Sequence, residues 1–257
     1  MKIGIIGAGH IGGTLAKHFT AAGHDVAIAN SRGPDTLRQM ETNLGEHGRA
    51  VTPAQAAAFG DIVVVSVPFG NYTDVPIAGT AGKTVIDTTN YDPDRDGHIA
   101  ELDNNSITSS ELMQRHLPQA NVVKAFNTMI WDHLRDYGKP GGALTRYGIP
   151  ISGNDSQAER AVADLVDELG FEPVYAGDLA QGGRRQQPGS PVFTADLTAR
   201  DLHAQLDADL TRPTVEDWTD AAARARTSDD PRARTPRDRS GIPTTGTTTG
   251  RQSPPDI

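Results

Sequence analysis

Residues 7–12 read Gly7-Ala8-Gly9-His10-Ile11-Gly12, and their flanks constrain the fold more than any other part of the chain. Lys2–Ile6 is a short apolar run with the character of a buried strand. Ile11–Ala22 places Ile11, Leu15, His18 and Phe19 at helical spacing, with Gly23 available to end the helix. A strand, a glycine turn and a helix form the context in which this glycine spacing binds a dinucleotide. Gly7 permits the tight turn, Gly9 lets the backbone approach a pyrophosphate, and Gly12 lets helix and strand pack closely. The helix start then turns unpaired N–H groups and the positive end of its dipole toward the phosphates. Ala8, His10 and Ile11 belong to the same turn and join the three glycines as expected cofactor contacts.

The alternation of apolar runs and helix-period segments continues to about residue 175. Asp25–Ala29, Asp61–Val67, Lys83–Asp87 and Asn121–Ala125 read as strands, and the β-branched run in the second of these suits a strand covered on both faces. Pro53 opens a helix through Phe59, and Thr108 with Glu111 makes a capping box for a helix through His116. Pro150–Ser152 and Phe171–Tyr175 predict two further strands. Between them lies a helix capped by Asn154 or Asp155 and stopped at Gly170. Strands separated by helices predict an α/β fold of Rossmann type, a doubly wound parallel sheet with a small C-terminal α/β extension. The expected division is a dinucleotide-binding domain over 1–127 and a small domain over 128–210 that completes a cleft. Gln181–Pro191 reads as loop, and Leu202, Leu206 and Leu210 as one face of a last helix. From about Thr211 aromatics nearly vanish, and Arg, Asp, Thr, Gly and Pro dominate. Such a segment buries too little apolar surface to offset its ordering entropy, so 211–257 is expected to be a disordered tail.

Composition removes several functions. A net charge of -9 argues against general affinity for nucleic acid or an anionic membrane. There is no cysteine, so disulfides, thiolate metal sites and cysteine nucleophiles are excluded. The eight histidines show no metal-ligand spacing, and no metal site is expected. The opening MKIGIIGAG lacks the layout of a signal peptide, and the longest apolar run is too short to span a bilayer. A soluble cytoplasmic protein is the expectation, with a homodimer left open.

The end of the second strand selects the cofactor. An NAD enzyme places Asp or Glu there to grip the ribose hydroxyls; this chain reads Ala29-Asn30-Ser31-Arg32-Gly33. Ser31 can hydrogen-bond a 2′-phosphate and Arg32 can pair with it, so NADP(H) is expected. Ser66-Val67-Pro68-Phe69 ends the next strand at the carboxyl edge, where open α/β sheets bind ligands, and Asp87-Thr88-Thr89-Asn90 ends the one after it. Val67, Pro68, Phe69 and Asn90 therefore enter as cofactor contacts, with Asn30 beside the phosphate pair. Lys124-Ala125-Phe126-Asn127 follows the next strand at the same edge. Ala125 would touch the cofactor, while Lys124 and Asn127 are the candidate catalytic groups, Lys124 as a proton donor or an anchor for an anionic acceptor. Arg184 and Arg185 follow two glycines and can close over an anionic acceptor, although a solvated loop is the simpler reading.

Together these segments resemble the coenzyme-F420-dependent NADP oxidoreductases over about residues 1–193. The carriers are MKIGIIGAGHIGGTLA, ANSRG, VVVSVPFG, VIDTTNY, TSSELMQRHLP, VVKAFNT, IPISGNDSQA and ELGFEPVYAGDL. The resemblance implies a Rossmann domain and a small C-terminal domain, with a deazaflavin against the nicotinamide in the cleft between them. It implies NADPH contacts at Ala8–Ile11, Ser31, Arg32, the Val67–Phe69 turn and Ala125. Residues 181–193, Lys124 and Asn127 depart from the pattern. The expected activity is hydride transfer between NADP(H) and a small-molecule redox acceptor, coenzyme F420 as co-substrate first. Reduction of a small carbonyl or imine, and a non-enzymatic NADPH-binding sensor, are the alternatives. Ring-to-ring hydride transfer needs alignment more than a protein acid.

Overall fold

The computed structural model describes residues 1–143 and 145–207. The tail expected over 211–257 and the helical position of Leu210 lie outside the described residues. In chain order the elements are β1 (Lys2–Ile6), α1 (His10–Ala21), β2 (Asp25–Ala29), α2 (Arg38–Leu44), β3 (Gly48–Ala50), α3 (Pro53–Phe59) and β4 (Ile62–Val65). A 3₁₀ turn over Phe69–Asp74 leads to β5 (Thr84–Asp87), α4 (Pro93–Asp96), α5 (Ala100–Asp103), α6 (Ser109–His116) and β6 (Asn121–Lys124). Then come α7 (Trp131–Asp136), β7 (Gly148–Gly153), α8 (Ser156–Glu168), β8 (Glu172–Gly177), α9 (Gln181–Gln186) and α10 (Ala199–Asp207).

These strands form one sheet in the order β3-β2-β1-β4-β5-β6-β7-β8. Ile3, Ile5, Ile62, Val64, Ile86 and Val123 point to one face, where they meet Leu15 and Phe19 of α1 and Val162 and Leu165 of α8. Val63, Val65, Val85 and Val122 point to the other, against Ala56, Ala57 and Met113. Burial on both faces is what selects the near-continuous apolar strands of the sequence. The strand order reverses beside β1, between β2 and β4, and such a switch point opens a crevice at the carboxyl edge.

The expected Rossmann-type α/β sheet is present and mostly parallel. It is not parallel throughout, because β6 and β7 pair antiparallel. Among the described residues one short helix, α7, lies between them. It packs against α1 at the edge and leaves the chain to enter β7 from the end where β6 stopped. Nor is 181–191 wholly a loop, since α9 occupies Gln181–Gln186. Asp178 Oδ1 accepts from Gln181 N at 2.6 Å to start the turn. Gly182 lies where a Cβ would stand 2.1 Å from Ser152 Oγ. The glycines that hide this helix from propensity are required by its close packing. The extension 128–207 contributes β7 and β8 to the same sheet as residues 1–127.

Helix α3 lies so close over β1 that a Cβ on Gly4 would come 2.0 Å from the Ala56 carbonyl oxygen. Gly4→Ala should therefore cost about 3 kcal/mol or more, because backbone rather than a flexible side chain must move. Gly23→Ala, at φ +86° with open space around it, should cost only about 1–2 kcal/mol. Urea denaturation of both variants measures the difference, and equal losses would contradict this packing.

Candidate nucleotide-binding and active site

Backbone contacts build the glycine turn. Gly7 has φ +112°, and a Cβ there would lie 2.0 Å from the Ser66 carbonyl oxygen. A Cβ on Gly12 would lie 2.0 Å from the Gly7 carbonyl oxygen. The Gly7 N–H donates to Ala29 O at 2.8 Å, tying the turn to the tip of β2. Gly9 caps α1 without a side-chain hydrogen bond, and a Cβ on it would meet nothing within 4 Å. The helix N-terminus thus faces open space, as an approaching pyrophosphate requires.

A cavity of about 370 Å³ opens there, at the tips of β1, β2 and β4. Gly7, Ala8 and Gly9 form one corner, Asn30, Ser31 and Arg32 a second, and Val67 and Pro68 part of the opposite wall. Asn30 holds its turn in shape: Oδ1 accepts from Arg32 N at 3.0 Å, and Nδ2 donates to Thr36 Oγ1 at 2.9 Å. Ser31 and Arg32 are left exposed at the rim, and among the described residues no carboxylate engages the Arg32 guanidinium. The cavity therefore offers backbone N–H groups at one corner and a free cation at another, and the residues fit a 2′-phosphorylated dinucleotide. Pro53, Asn71, Asp74 and Val75 also line it. Pro53 was marked only as a helix start, and nothing marked the other three, since the 3₁₀ turn that carries Asn71 and Asp74 and leads into Val75 has no motif.

Other expected contacts sit elsewhere. Phe69 is fully buried, stacked on Tyr72 at 4.9 Å and edge-on to Tyr91 at 6.0 Å. It anchors a small core with Leu102 and Leu112 and does not line the cavity. His10 stacks on Trp131 at 4.8 Å and lines a separate groove with Lys17 and Met40. Ile11 packs against the main core, and Gly12 is buried beneath the turn.

The tips of β5 and β6 carry the remaining candidates, and here they are enclosed. Asn90 Nδ2 donates to Asn127 O at 2.8 Å, and Asn127 Nδ2 returns a bond to Asn90 Oδ1 at 3.0 Å. The same Asn127 Nδ2 donates to Gln186 O at 2.9 Å. That carbonyl can only accept, so the amide orientation is fixed, and among the described residues Asn127 Oδ1 is left buried without a partner. Ala125 and Phe126 are fully buried, and Phe126 adopts φ +61° to turn the chain between them. Gln186 and the buried Ser152, joined at 2.5 Å, complete this amide chain and were not anticipated. Arg184 donates to Asn105 Oδ1 and Asn105 O at 2.9 and 3.0 Å, and Arg185 to Ala176 O at 3.2 Å. Both guanidiniums therefore brace the chain around α9.

Lys124 is 1% exposed. Its Nζ donates to Thr89 O at 2.8 Å and to Asp87 Oδ2 at 3.4 Å. Asp87 in turn accepts from Ser110 Oγ at 2.5 Å, Thr89 Oγ1 at 2.6 Å and Thr89 N at 2.9 Å. Burial pushes the Lys124 ammonium below the ordinary lysine range, against the opposing pull of Asp87. The group is a clamp between strand tips and is not presented to an open cavity. Asp87→Asn should leave its charge buried without a counter-ion and cost about 3–5 kcal/mol in chemical denaturation. A loss below about 1 kcal/mol would show that the ammonium is not charged in the fold.

Residues 2–91 match the family model for NADP oxidoreductase, coenzyme F420-dependent. The hypothetical protein SMa0349 from Sinorhizobium meliloti, whose crystal structure is known, is 36% identical with a TM-score of 0.68, over 77% of this chain and 95% of that one. This chain belongs to the family of that Sinorhizobium protein. It is a Rossmann-fold protein related to the F420-dependent NADP oxidoreductases, and the match to their model covers residues 2–91 rather than the whole of 1–193. A protein from Arthrobacter sp. FB24, provisionally named an F420 dependent NADP-reductase, is 29% identical with a TM-score of 0.60, over 71% of this chain and 88% of that one. Protein YjhV of Escherichia coli (strain K12) is 34% identical over 68 residues, 26% of this chain. The chain spans about half the length of that curated relative, 47%. Among the described residues no helix is long and apolar enough to cross a membrane.

Proposed function

We propose that this protein is an NADPH-dependent oxidoreductase that reduces a small organic acceptor, an imine in its protonated form before a ketone. The observation that carries the cofactor reading is the cavity, with the α1 N-terminus at one corner and the unengaged Arg32 at another. Bound there, NADPH supplies hydride, which an iminium carbon accepts as its C=N pair moves onto nitrogen. The α1 amides hold the pyrophosphate, and Ser31 with Arg32 holds the 2′-phosphate by charge-assisted hydrogen bonds. An NAD-type carboxylate at that corner would repel the same phosphate.

The acceptor reading rests on the tips of β5 and β6. Lys124 is enclosed and does not offer a proton to a ligand, so an acceptor that arrives protonated suits the site better than a neutral ketone. Gln186 and Thr194 hydrogen-bond onto Asn127 and Thr128, so the wall 125–128 is covered by its own chain. A covered wall suits a compact acceptor better than a tricyclic ring. A deazaflavin is the second reading, favoured by the family match over residues 2–91.

Arg32→Ala should weaken NADPH binding by about 1.5–3 kcal/mol in a fluorescence titration and leave NADH nearly unchanged. An equal loss for both cofactors would place Arg32 outside the phosphate site. For the acceptor, NADPH deuterated at the transferring position is offered with imines, ketones, FMN and coenzyme F420. Deuterium on the amine carbon is the expected result. Label found only in F420 would favour the deazaflavin reading, and tight NADPH binding without any turnover would mark a binding module.

A further inference from the structure

We propose that Asp74 reads the purine base of the dinucleotide, selecting adenine through its exocyclic amino group, an inference that rests on the NADPH reading above. Two corners of the cavity are built for anions: the turn at Gly7–Gly9 and the pair Ser31–Arg32. The rest of the lining includes the apolar Pro53, Val67, Pro68 and Val75. Those apolar surfaces suit the faces of a flat ring. Asp74 lines the same cavity, an acceptor-only group in a site otherwise furnished for phosphates.

Its position is fixed although its side chain is exposed. Asp74 ends the 3₁₀ turn that starts at the fully buried Phe69. Val75, next in the chain, is 2% exposed, and its carbonyl accepts from His116 Nε2 at 2.8 Å. The Val75 N–H closes the turn onto Tyr72 O at 3.3 Å. The carboxylate itself has no hydrogen-bond or ion-pair partner among the described residues, and Arg32, which lines the same cavity, does not engage it. A carboxylate held open in a polyanion site needs a donor to offset the repulsion it brings. Adenine presents an amino group at C6. Hypoxanthine presents a carbonyl oxygen there, which a carboxylate repels. Asp74 is exposed, so salt screens its repulsion from a 2′-phosphate, with a Debye length of about 8 Å at physiological ionic strength.

The test titrates the full chain and its Asp74→Ala and Asp74→Asn variants with NADPH and with the reduced hypoxanthine analogue of NADPH. The parent should bind NADPH about 10-fold more tightly than the analogue, the scale of one hydrogen bond to an exposed charged group. Asp74→Ala should bring that ratio to within about 2-fold by weakening NADPH alone, with Asn intermediate. Melting temperatures of the free variants should match the parent, because the side chain is exposed and makes no hydrogen bond or ion pair among the described residues. Equal ratios in parent and variants would overturn the proposal. So would tighter binding of both ligands by Asp74→Ala, which would make Asp74 a competitor for Arg32. If the parent binds neither ligand, the NADPH reading falls together with this one; binding both equally removes only the role of Asp74.

Discussion

The site depends on three backbone chains meeting without side chains between them. Gly7 sits against the carbonyl of Ser66, and Gly12 against the carbonyl of Gly7, each at a distance that excludes a Cβ. These contacts set the height of the α1 N-terminus over the tips of β1 and β4. They also hold the turn open at Gly9, where nothing approaches. The sheet supplies the rest: strand order reverses at β1, so β2 and β4 diverge on either side of the turn and leave the crevice between them.

Polar groups are handled differently at the two halves of the carboxyl edge. At β1, β2 and β4 they stand free: Ser31, Arg32 and Asp74 are exposed around an open cavity. At β5 and β6 they are buried or half-buried and mostly satisfied by one another, through the Asp87–Lys124 clamp and the Asn90–Asn127–Gln186 chain. An open, charged half suits binding of a soluble polyanion. A closed, desolvated half suits chemistry from which water is excluded. The unpartnered Asn127 Oδ1 and the strained φ of Phe126 lie together in that closed half.

The strand–turn–helix unit was legible because its signals are local: a short run with three isoleucines, three glycines at fixed spacing and a helical period. The absent carboxylate at Asn30–Ser31–Arg32 was legible for the same reason. Phe69 was misplaced because a fold-level rule puts residues after β4 at the ligand edge, whereas its ring turns inward to Tyr72 and Tyr91. The antiparallel β7 was not legible, since strand direction follows from what a connecting segment packs against and not from the strand's own residues. Asp74 and Gln186 escaped notice because each acquires its place through contacts distant in sequence. A side chain on a motif-free turn carries no signal until the turn is placed.

The most direct measurement compares two small ligands on the parent protein. Adenosine 2′,5′-bisphosphate and 5′-AMP differ only in the phosphate that Ser31 and Arg32 would hold. Calorimetric titration should find the bisphosphate bound at least about 10-fold more tightly, the effect of one charge-assisted contact. Equal affinities for the two would contradict an NADP site at the β2 tip.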